Sequence, residues 1–309
     1  MLEYRVYGGP GCGKTTYLSK QIEAAVDKYG QRVLICSFSN TAANELVTRG
    51  LPLHNKRIGT LHSFCRRAIG GGQEIAETTD ILDEWNDKHG MTGRGKWHVP
   101  RSSYLNKGGG APRSEVLIWH QFNILRNKMT PFEDWPRDVK LFTEAWTPWK
   151  KENDLLDFTD LIETVYTEGV GCPFPVAVLF ADETQDYSAL EMSVVRYWGQ
   201  MAEYFVLAGD DQQALYDFRG ASAEVLLTPE LPDAQVKILE QSYRLPSKIL
   251  DYAMDYGDTM DRYQPKDIKP VREGGEVMRL SKRLKDPAVV TTATAEADRG
   301  QTAMILASC

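Results

Sequence analysis

Gly8-Gly9-Pro10-Gly11-Cys12-Gly13-Lys14-Thr15-Thr16 is a G-x-x-x-x-G-K-[ST] run, and its neighbours decide the fold around it. Arg5-Val6-Tyr7 ends a short apolar strand before it, and the chain from Thr15 onward reads as a helix. The glycines let backbone N–H groups turn inward around phosphate oxygens, and the helix N-terminus adds partial positive charge there. In such a loop Lys14 reaches the β- and γ-phosphates and the Thr15 hydroxyl ligates Mg²⁺. A chance glycine-rich turn ahead of a helix is the alternative. The conjunction of strand, loop, helix and Lys-Thr weighs against it and points to a bound nucleoside triphosphate.

Outward from the loop, strand and helix alternate. RVLICSF (32–38) is a buried-strand run, 41–49 is helical, Ile58-Gly59-Thr60 is a short strand and 61–69 is helical. This βαβα rhythm predicts an α/β fold with a parallel sheet covered on both faces. The rhythm breaks after Gly70-Gly71-Gly72, and 73–165 reads as a helical, aromatic insertion. Trp85, Trp97, Trp119, Trp135, Trp146 and Trp149 lie in it, six of the chain's 7 tryptophans. Its window 91–130 sets Arg94, Lys96, Arg101, Lys107, Arg113, Arg126 and Lys128 against Glu115 alone, with Gly108-Gly109-Gly110 as a loop. Such a run is by default a solvated face. The interleaved Trp97 and Trp119 also suit a nucleic-acid contact. Strand-like runs return at VAVLFA (176–181), YFVLA (204–208) and VKIL (236–239), and a helix follows Pro246. The tail predicts a strand at 276–280, a helix near 286–298 and a strand at 302–307. No repeat or low-complexity segment interrupts the chain.

The 309 residues suffice for two domains or one large one. No apolar run is long enough to span a membrane, and no signal peptide is visible, which predicts a cytoplasmic protein without membrane partners. Cys12, Cys36, Cys65, Cys172 and Cys309 form no C-x-x-C pair and read as reduced thiols. The net charge of −7 argues against a wholesale basic coat but leaves room for a local basic groove.

A second chemical element ends the VAVLFA strand: Asp182-Glu183. A carboxylate at the C-terminal end of a parallel strand sits where α/β ligands bind. Asp182 would hold Mg²⁺ through water, and Glu183 would orient or deprotonate an attacking water. A solvated turn is the competing reading. A third polar run, Gly209-Asp210-Asp211-Gln212-Gln213, follows the next strand and could sense the γ-phosphate, cap a helix, or both.

Taken in order, GGPGCGKTT (8–16), SFSNTAANEL (37–46), GTLHSFCRR (59–67), LLDFTDLI (155–162), DETQD (182–186), GDDQQALYDFRGA (209–221) and LEQSYRLPSKIL (239–250) resemble the motifs of superfamily 1 DNA helicases of the UvrD/Rep/PcrA type. The resemblance covers nearly all of a first motor domain. It implies a RecA-like P-loop NTPase fold, with residues 1–72 and 166–245 as motor domain 1A, 73–165 as a 1B-like insertion and 246–309 as the beginning of a second motor domain, 2A. It further implies ATP-driven movement on single-stranded DNA, usually 3′ to 5′, action at single-strand/duplex junctions, and replication or repair partners.

Residue by residue, the resemblance implies a nucleotide site of Gly9, Gly11, Cys12, Gly13, Lys14, Thr15, Thr16, Asp182 and Arg244, with Mg²⁺ on Thr15 and Asp182. Glu183 is the implied catalytic carboxylate, and Lys14 joins it as a catalytic group. Gln185 and Gln213 would link the γ-phosphate to the DNA-contacting segment, and Arg244 would stabilise γ-phosphate charge. Phe38, Tyr216 and Phe218 would stack bases at roughly 1–3 kcal/mol each. Asn40, Thr41, Thr60, His62 and Ser63 would bond the DNA backbone, and Arg219 closes the same motif. Bland readings stand beside these: Phe38 as core, His62 as a capping or packing residue, Tyr216 and Phe218 as a packed turn, and Arg244 as a surface ion pair.

The chain departs from the family in three places. Phe218 stands where Trp is common. The seven residues before Gly8 leave no room for an adenine-reading glutamine, which leaves preference for ATP open. The later motifs, with a second arginine finger, do not appear, and Ala303-Met304-Ile305-Leu306 matches only loosely. The expectation is a truncated N-terminal motor half that binds nucleotide and hydrolyses it poorly. A non-catalytic ATP- and DNA-binding module and the helicase part of a helicase–nuclease are the other function classes.

Overall fold

The computed structural model describes residues 2–89, 97, 99 and 114–277. Its centre is a six-stranded sheet formed by β1 (Leu2–Gly8), β2 (Val33–Ser37), β3 (Ile58–Thr60), β6 (Val178–Asp182), β7 (Tyr204–Gly209) and β8 (Val236–Leu239). The order is β3-β2-β6-β7-β1-β8, and every neighbouring pair is parallel. The expected strands therefore form, shifted by a residue or two at their ends.

Both faces of the sheet are buried, and the strand period of two sorts side chains between them. Val6, Val33, Ile35, Val178, Phe180 and Ala208 face α1 (Lys14–Tyr29) and α2 (Asn40–Thr48), meeting Leu18, Ile22, Ala43 and Leu46. Tyr7, Leu34, Cys36, Leu179, Ala181 and Leu207 face the opposite way. They pack with α3 (Leu61–Ala68), α7 (Phe158–Thr167) and α8 (Ala189–Gly199) through Phe64, Leu161, Val165, Val194 and Trp198. The helices start on side-chain caps: Ser39 for α2, Thr60 for α3, and capping boxes Asp157/Asp160 for α7 and Ser188/Glu191 for α8.

The chain leaves this layered unit through β4 (Glu74–Ile75) and returns through β5 (Leu155–Leu156), and these two strands pair in parallel. Between them stand α4 (Thr79–His89), α5 (Ser114–Asn127) and α6 (Arg137–Glu152). Their core is aromatic: Trp85 and Trp146 ring centroids lie 4.8 Å apart, Trp119 and Trp146 5.3 Å, and Phe122 and Phe142 5.2 Å. This corrects two sequence expectations. Trp119 is a core residue without a free face, and Trp97 packs half-buried against that core instead of standing on a solvated face. Helix α7 begins inside the span 73–165 and runs past its end, and it contributes Leu161, Ile162 and Val165 to the sheet's own core.

Arg126 is also not a surface base. It is buried, with Nη1 2.9 Å from both oxygens of Asp157, Nη2 2.5 Å from Asp160 and Nε 3.0 Å from Glu163. Lys150 of α6 donates to Asp157 at 2.6 Å and also to Asp160, and Trp146 Nε1 donates to Asp157 at 3.1 Å. Burial opposes ionisation of Asp157, but Arg126 and Lys150 override it and hold the carboxyl well below its ordinary range. Lys128 is exposed and reaches Asp217 at 3.5 Å. Arg94, Lys96, Arg101, Lys107, Arg113 and Gly108-Gly109-Gly110 fall outside the described residues.

After the sheet come β9 (Gln241–Pro246), α10 (Ser247–Gly257) and β10 (Lys269–Arg272), with β9 and β10 forming a separate parallel pair. Leu250 of α10 and Ile268 pack on Cys12 of the glycine loop. The expected helix at 286–298, the strand at 302–307, Ala303–Leu306, Cys309 and most of the strand expected at 276–280 lie outside the described residues. Among the described residues, no helix is long and apolar enough to cross a membrane.

The buried charge cluster yields a stability prediction. Asp157→Ala leaves Arg126 and Lys150 short of their central acceptor and is expected to cost about 3–5 kcal/mol. Urea unfolding of the variant checks it; a loss under about 1 kcal/mol would show that Asp160 and Glu163 suffice to hold the two cations.

Candidate functional site

The loops that carry chemistry leave the C-terminal ends of the parallel strands, where α/β folds bind ligands. Residues 9–13 follow β1 and open α1. Gly11 and Gly13 both adopt φ 73°, a left-handed conformation that side chains resist. A Cβ on Gly11 would also sit 2.3 Å from Arg244 Cβ. With Gly13 as its N-cap, α1 begins with no side-chain cap and no acidic residue in its first turn. Its leading N–H groups are thus left for an anion. Thr15 and Thr16 stand in that first turn, and Lys14 Nζ donates to Gly8 O at 2.9 Å. Cys12 is buried beneath the loop.

Strand β9 is fastened to this loop. Tyr243 N donates to Gly11 O at 3.0 Å and Ser242 Oγ to Pro10 O at 2.8 Å. Arg244 is thereby placed beside the loop. Tyr243, exposed, has a ring carbon 4.0 Å from where a Gly13 Cβ would stand. An exposed aromatic at the loop's mouth was not singled out from the sequence. Its position next to Arg244 was the available signal.

Asp182 ends β6, almost fully buried, and pairs in register with Ser37 of β2. Burial, aided by the Glu183 charge, pushes its carboxyl up to about 7. The Ser37 hydroxyl is buried without a hydrogen-bond partner. A buried carboxylate short of positive charge and an orphaned hydroxyl beside it are oxygen donors that would suit a hard divalent cation. Glu183 adopts φ 52°, unusual for a residue with a side chain, and such strain gathers at functional sites.

From Glu183 a hydrogen-bonded path runs sideways. Gln185 Nε2 donates to Glu183 Oε2 at 2.8 Å, while Gln185 Oε1 accepts from Asp210 N at 3.0 Å. Gln213 Nε2 donates to Asp210 Oδ2. Asp210 also caps the short 3₁₀ turn Asp211–Gln213, accepting from Gln212 N, which is the capping role expected of it. Asp186, which sequence reasoning passed over, accepts from Leu215 N at 3.4 Å, and burial pushes its carboxyl up to about 6. It lies one residue from Gln185 in DETQD, which was the visible signal.

The aromatic residues meet on the adjoining surface. The Phe38 and Tyr216 ring centroids are 5.0 Å apart, and those of Tyr216 and Phe218 5.8 Å. Arg219 lies over Phe38 at 5.6 Å and Tyr216 at 6.0 Å. Phe218 is 63 % exposed, so its face is open to solvent. Asn40 and Thr41 are exposed on the first turn of α2. Thr60 Oγ1 accepts from Ser63 N at 3.3 Å and Ser63 Oγ donates to Thr60 O at 2.7 Å, so both serve the α3 cap as well as facing outward. His62 stands edge-on to Phe158 at 6.1 Å and has Nδ1 3.9 Å from Glu191 Oε1. Phe158, half exposed beside His62, was another residue missed; LLDFTDLI was noted only as a motif.

The family model for the UvrD/REP helicase N-terminal domain matches residues 3–231. Among curated proteins, the ATP-dependent DNA helicase PcrA of Staphylococcus epidermidis is 24 % identical over 299 aligned residues, covering 88 % of this chain. PcrA of Staphylococcus aureus is 23 % identical, again over 88 % of this chain and 40 % of its own length. A probable DNA helicase II homolog of Mycoplasma capricolum is 23 % identical over 82 % of this chain and 38 % of its own. The chain thus spans about 40 % of the length of the curated relatives it matches.

Asp182 gives a pH prediction. Its folded-state value lies above the ordinary one of 3.8, so the stability it contributes is complete below about pH 4 and is lost as pH rises toward about 7. In metal- and nucleotide-free buffer, stability from this group is expected to fall at up to about 1.4 kcal/mol per pH unit across that window. Thermal melts of Asp182→Asn should lack this component. Parallel pH profiles of parent and variant would refute it.

Proposed function

The chain belongs to the UvrD/REP helicase N-terminal domain family, and from that membership we propose that it is the nucleotide-binding, DNA-gripping half of an ATP-dependent DNA helicase. The observation that carries the proposal is the path Glu183–Gln185–Asp210–Gln213, which joins the acid beside the phosphate loop to the loop that presents Tyr216 and Phe218. A motor needs such a connection, because nucleotide state must change the grip on DNA.

In this reading the N–H groups of Gly13, Lys14, Thr15 and Thr16 at the start of α1 hold the α- and β-phosphates, and Lys14 moves from the Gly8 carbonyl to the γ-phosphate. Thr15 and Asp182 would hold Mg²⁺, which would supply positive charge to the phosphates. Glu183 orients the attacking water and accepts its proton. Gln185 and Gln213 sense the γ-phosphate, and Arg244 adds positive charge from the β9 side. The exposed Tyr243 ring offers a face for the base, a role open to any nucleobase. On the other side Phe38, Tyr216, Phe218 and Phe158 offer stacking faces, and Asn40, Thr41, Thr60, His62 and Ser63 offer backbone contacts. Stacking tolerates every sequence, as a translocating protein requires. The 1B-like subdomain expected over 73–165 is taken in this reading as the stretch between β4 and β5, and the segment from 246 opens a 2A-like one. Movement 3′ to 5′, preference for single-strand/duplex junctions, replication or repair partners and a cytoplasmic location complete the proposal.

Hydrolysis of ATP by the chain, with and without single-stranded DNA, tests it. Stimulated turnover that Lys14→Ala abolishes is the expected result. Nucleotide and DNA binding without turnover would instead favour a binding module whose remaining catalytic groups come from elsewhere. Glu183→Gln is expected to retain ATP binding and lose hydrolysis, and turnover near the parent rate would remove Glu183 from its role. Phe38→Ala with Tyr216→Ala should weaken oligonucleotide binding by roughly tenfold or more, read by fluorescence anisotropy.

A further inference from the structure

Lys266 lies outside every motif discussed above, yet its side chain is fully buried beside the candidate site. Its Nζ is 2.6 Å from Asp211 Oδ1, 3.3 Å from Asp210 Oδ1 and 3.2 Å from Gln264 O. An ammonium has three N–H donors, and three acceptors surround this one. Gln264 N closes the ring by donating to Asp211 Oδ2 at 2.7 Å. Two adjacent buried carboxylates repel each other, and Lys266 is the cation between them.

The same small assembly touches both halves of the nucleotide machinery. Asp210 Oδ2, on the carboxylate whose other oxygen faces Lys266, accepts from Gln213 Nε2. Two residues after Lys266, Ile268 is pressed on the phosphate loop so closely that a Cβ on Gly9 would lie 2.3 Å from its Cδ1; that Cβ would also lie 3.9 Å from Asp210 Oδ2. At the far end of α10, a Cβ on Gly257 would meet Gln212 Nε2 at 2.5 Å. The Asp210–Gln213 turn is thus enclosed by the chain that follows β9, with Lys266 supplying the polar fastening.

We propose that Lys266 is a positioning residue that fixes Asp210, and through it Gln213, against the phosphate loop, so that nucleotide binding and single-strand binding are coupled through this buried ion cluster. The inference rests on the function proposed above and adds to it a residue from the segment after β9. An ammonium suits the task because its charge is compact and its donors point three ways. The planar guanidinium of an arginine does not match this set.

The whole chain is the test material, with a non-hydrolysable ATP analogue plus Mg²⁺ and a fluorescent oligothymidylate as probes. The ratio of oligonucleotide dissociation constants without and with the analogue measures the coupling. Parent coupling of about fivefold or more is expected to collapse toward unity in Lys266→Met, with a smaller change in affinity for the analogue alone. Lys266→Arg, which keeps the charge, should retain part of it. Parental coupling in folded Lys266→Met overturns the proposal, as does a parent chain that binds both probes without coupling. If Lys266→Met does not fold, Lys266→Met with Asp211→Asn removes one charge of each sign. Lost coupling there supports the proposal and parental coupling overturns it. A parent chain that binds neither probe defeats the helicase reading itself. Amide exchange across 209–216 then decides the part of Lys266: faster exchange in Lys266→Met supports the anchoring, and unchanged exchange overturns it.

Discussion

The position of β7 between β1 and β6 is the constraint from which the site follows. Parallel strands deliver all their C-terminal loops to one edge, and neighbours in the sheet become neighbours at that edge. The loop after β7 is therefore flanked by the phosphate loop on one side and by Asp182-Glu183 on the other. Its residues can reach both, and Gln185 and Asp210 meet across the β6–β7 gap. The same loop then continues to Tyr216, which meets Phe38 from the end of β2. A different strand order with the same motifs would leave these groups out of one another's reach.

Charge in the interior is concentrated in clusters that join segments distant in sequence. Arg126 and Lys150 bind the insertion's helices to the capping box of α7, whose other face packs on the sheet. Lys266 joins the tail segment to the loop after β7. In each cluster the cations and carboxylates are mutually satisfied, the condition under which buried ions are tolerable at all. Such pairs add geometry more than net stability, because a mismatched partner is costly where a mismatched methyl group is cheap.

The sheet was legible because its strands are buried on both faces and so read as unbroken apolar runs ending in polar loops. VLICS and VLFAD need no tertiary information to be recognised. The phosphate loop was legible for a related reason, since its glycines answer to backbone geometry within a few residues. The insertion was legible as helical and aromatic, but which way its side chains face was not. Composition counts Trp119 and Arg126 as aromatic and basic, but whether they face water depends on partners such as Phe142, Asp157 and Glu163 that only folding supplies. Lys266 was illegible for the same reason. Its carboxylate partners lie more than fifty positions away, and the polar stretch around it shows no period. Thr60 and Ser63 show the limit from another side: a residue placed on a motif for its ligand also serves the local cap of α3.

The pairing of Glu74-Ile75 with Leu155-Leu156 has a consequence for how such a chain changes over generations. Paired strands lie about 4.8 Å apart, so the entire excursion between them begins and ends at nearly one point. Its aromatic core closes on itself, and among the described residues a short ladder, a knot of ions and the packing of α5 on α8 and on the Asp217–Arg219 turn attach it to the sheet unit. An ancestor could acquire, lengthen or exchange this excursion with two nearby splice points, leaving the sheet's register untouched. The loop edge of the sheet and the excursion are thus free to diversify at different rates, the first held by backbone geometry and the second by its own interior and a few anchoring contacts.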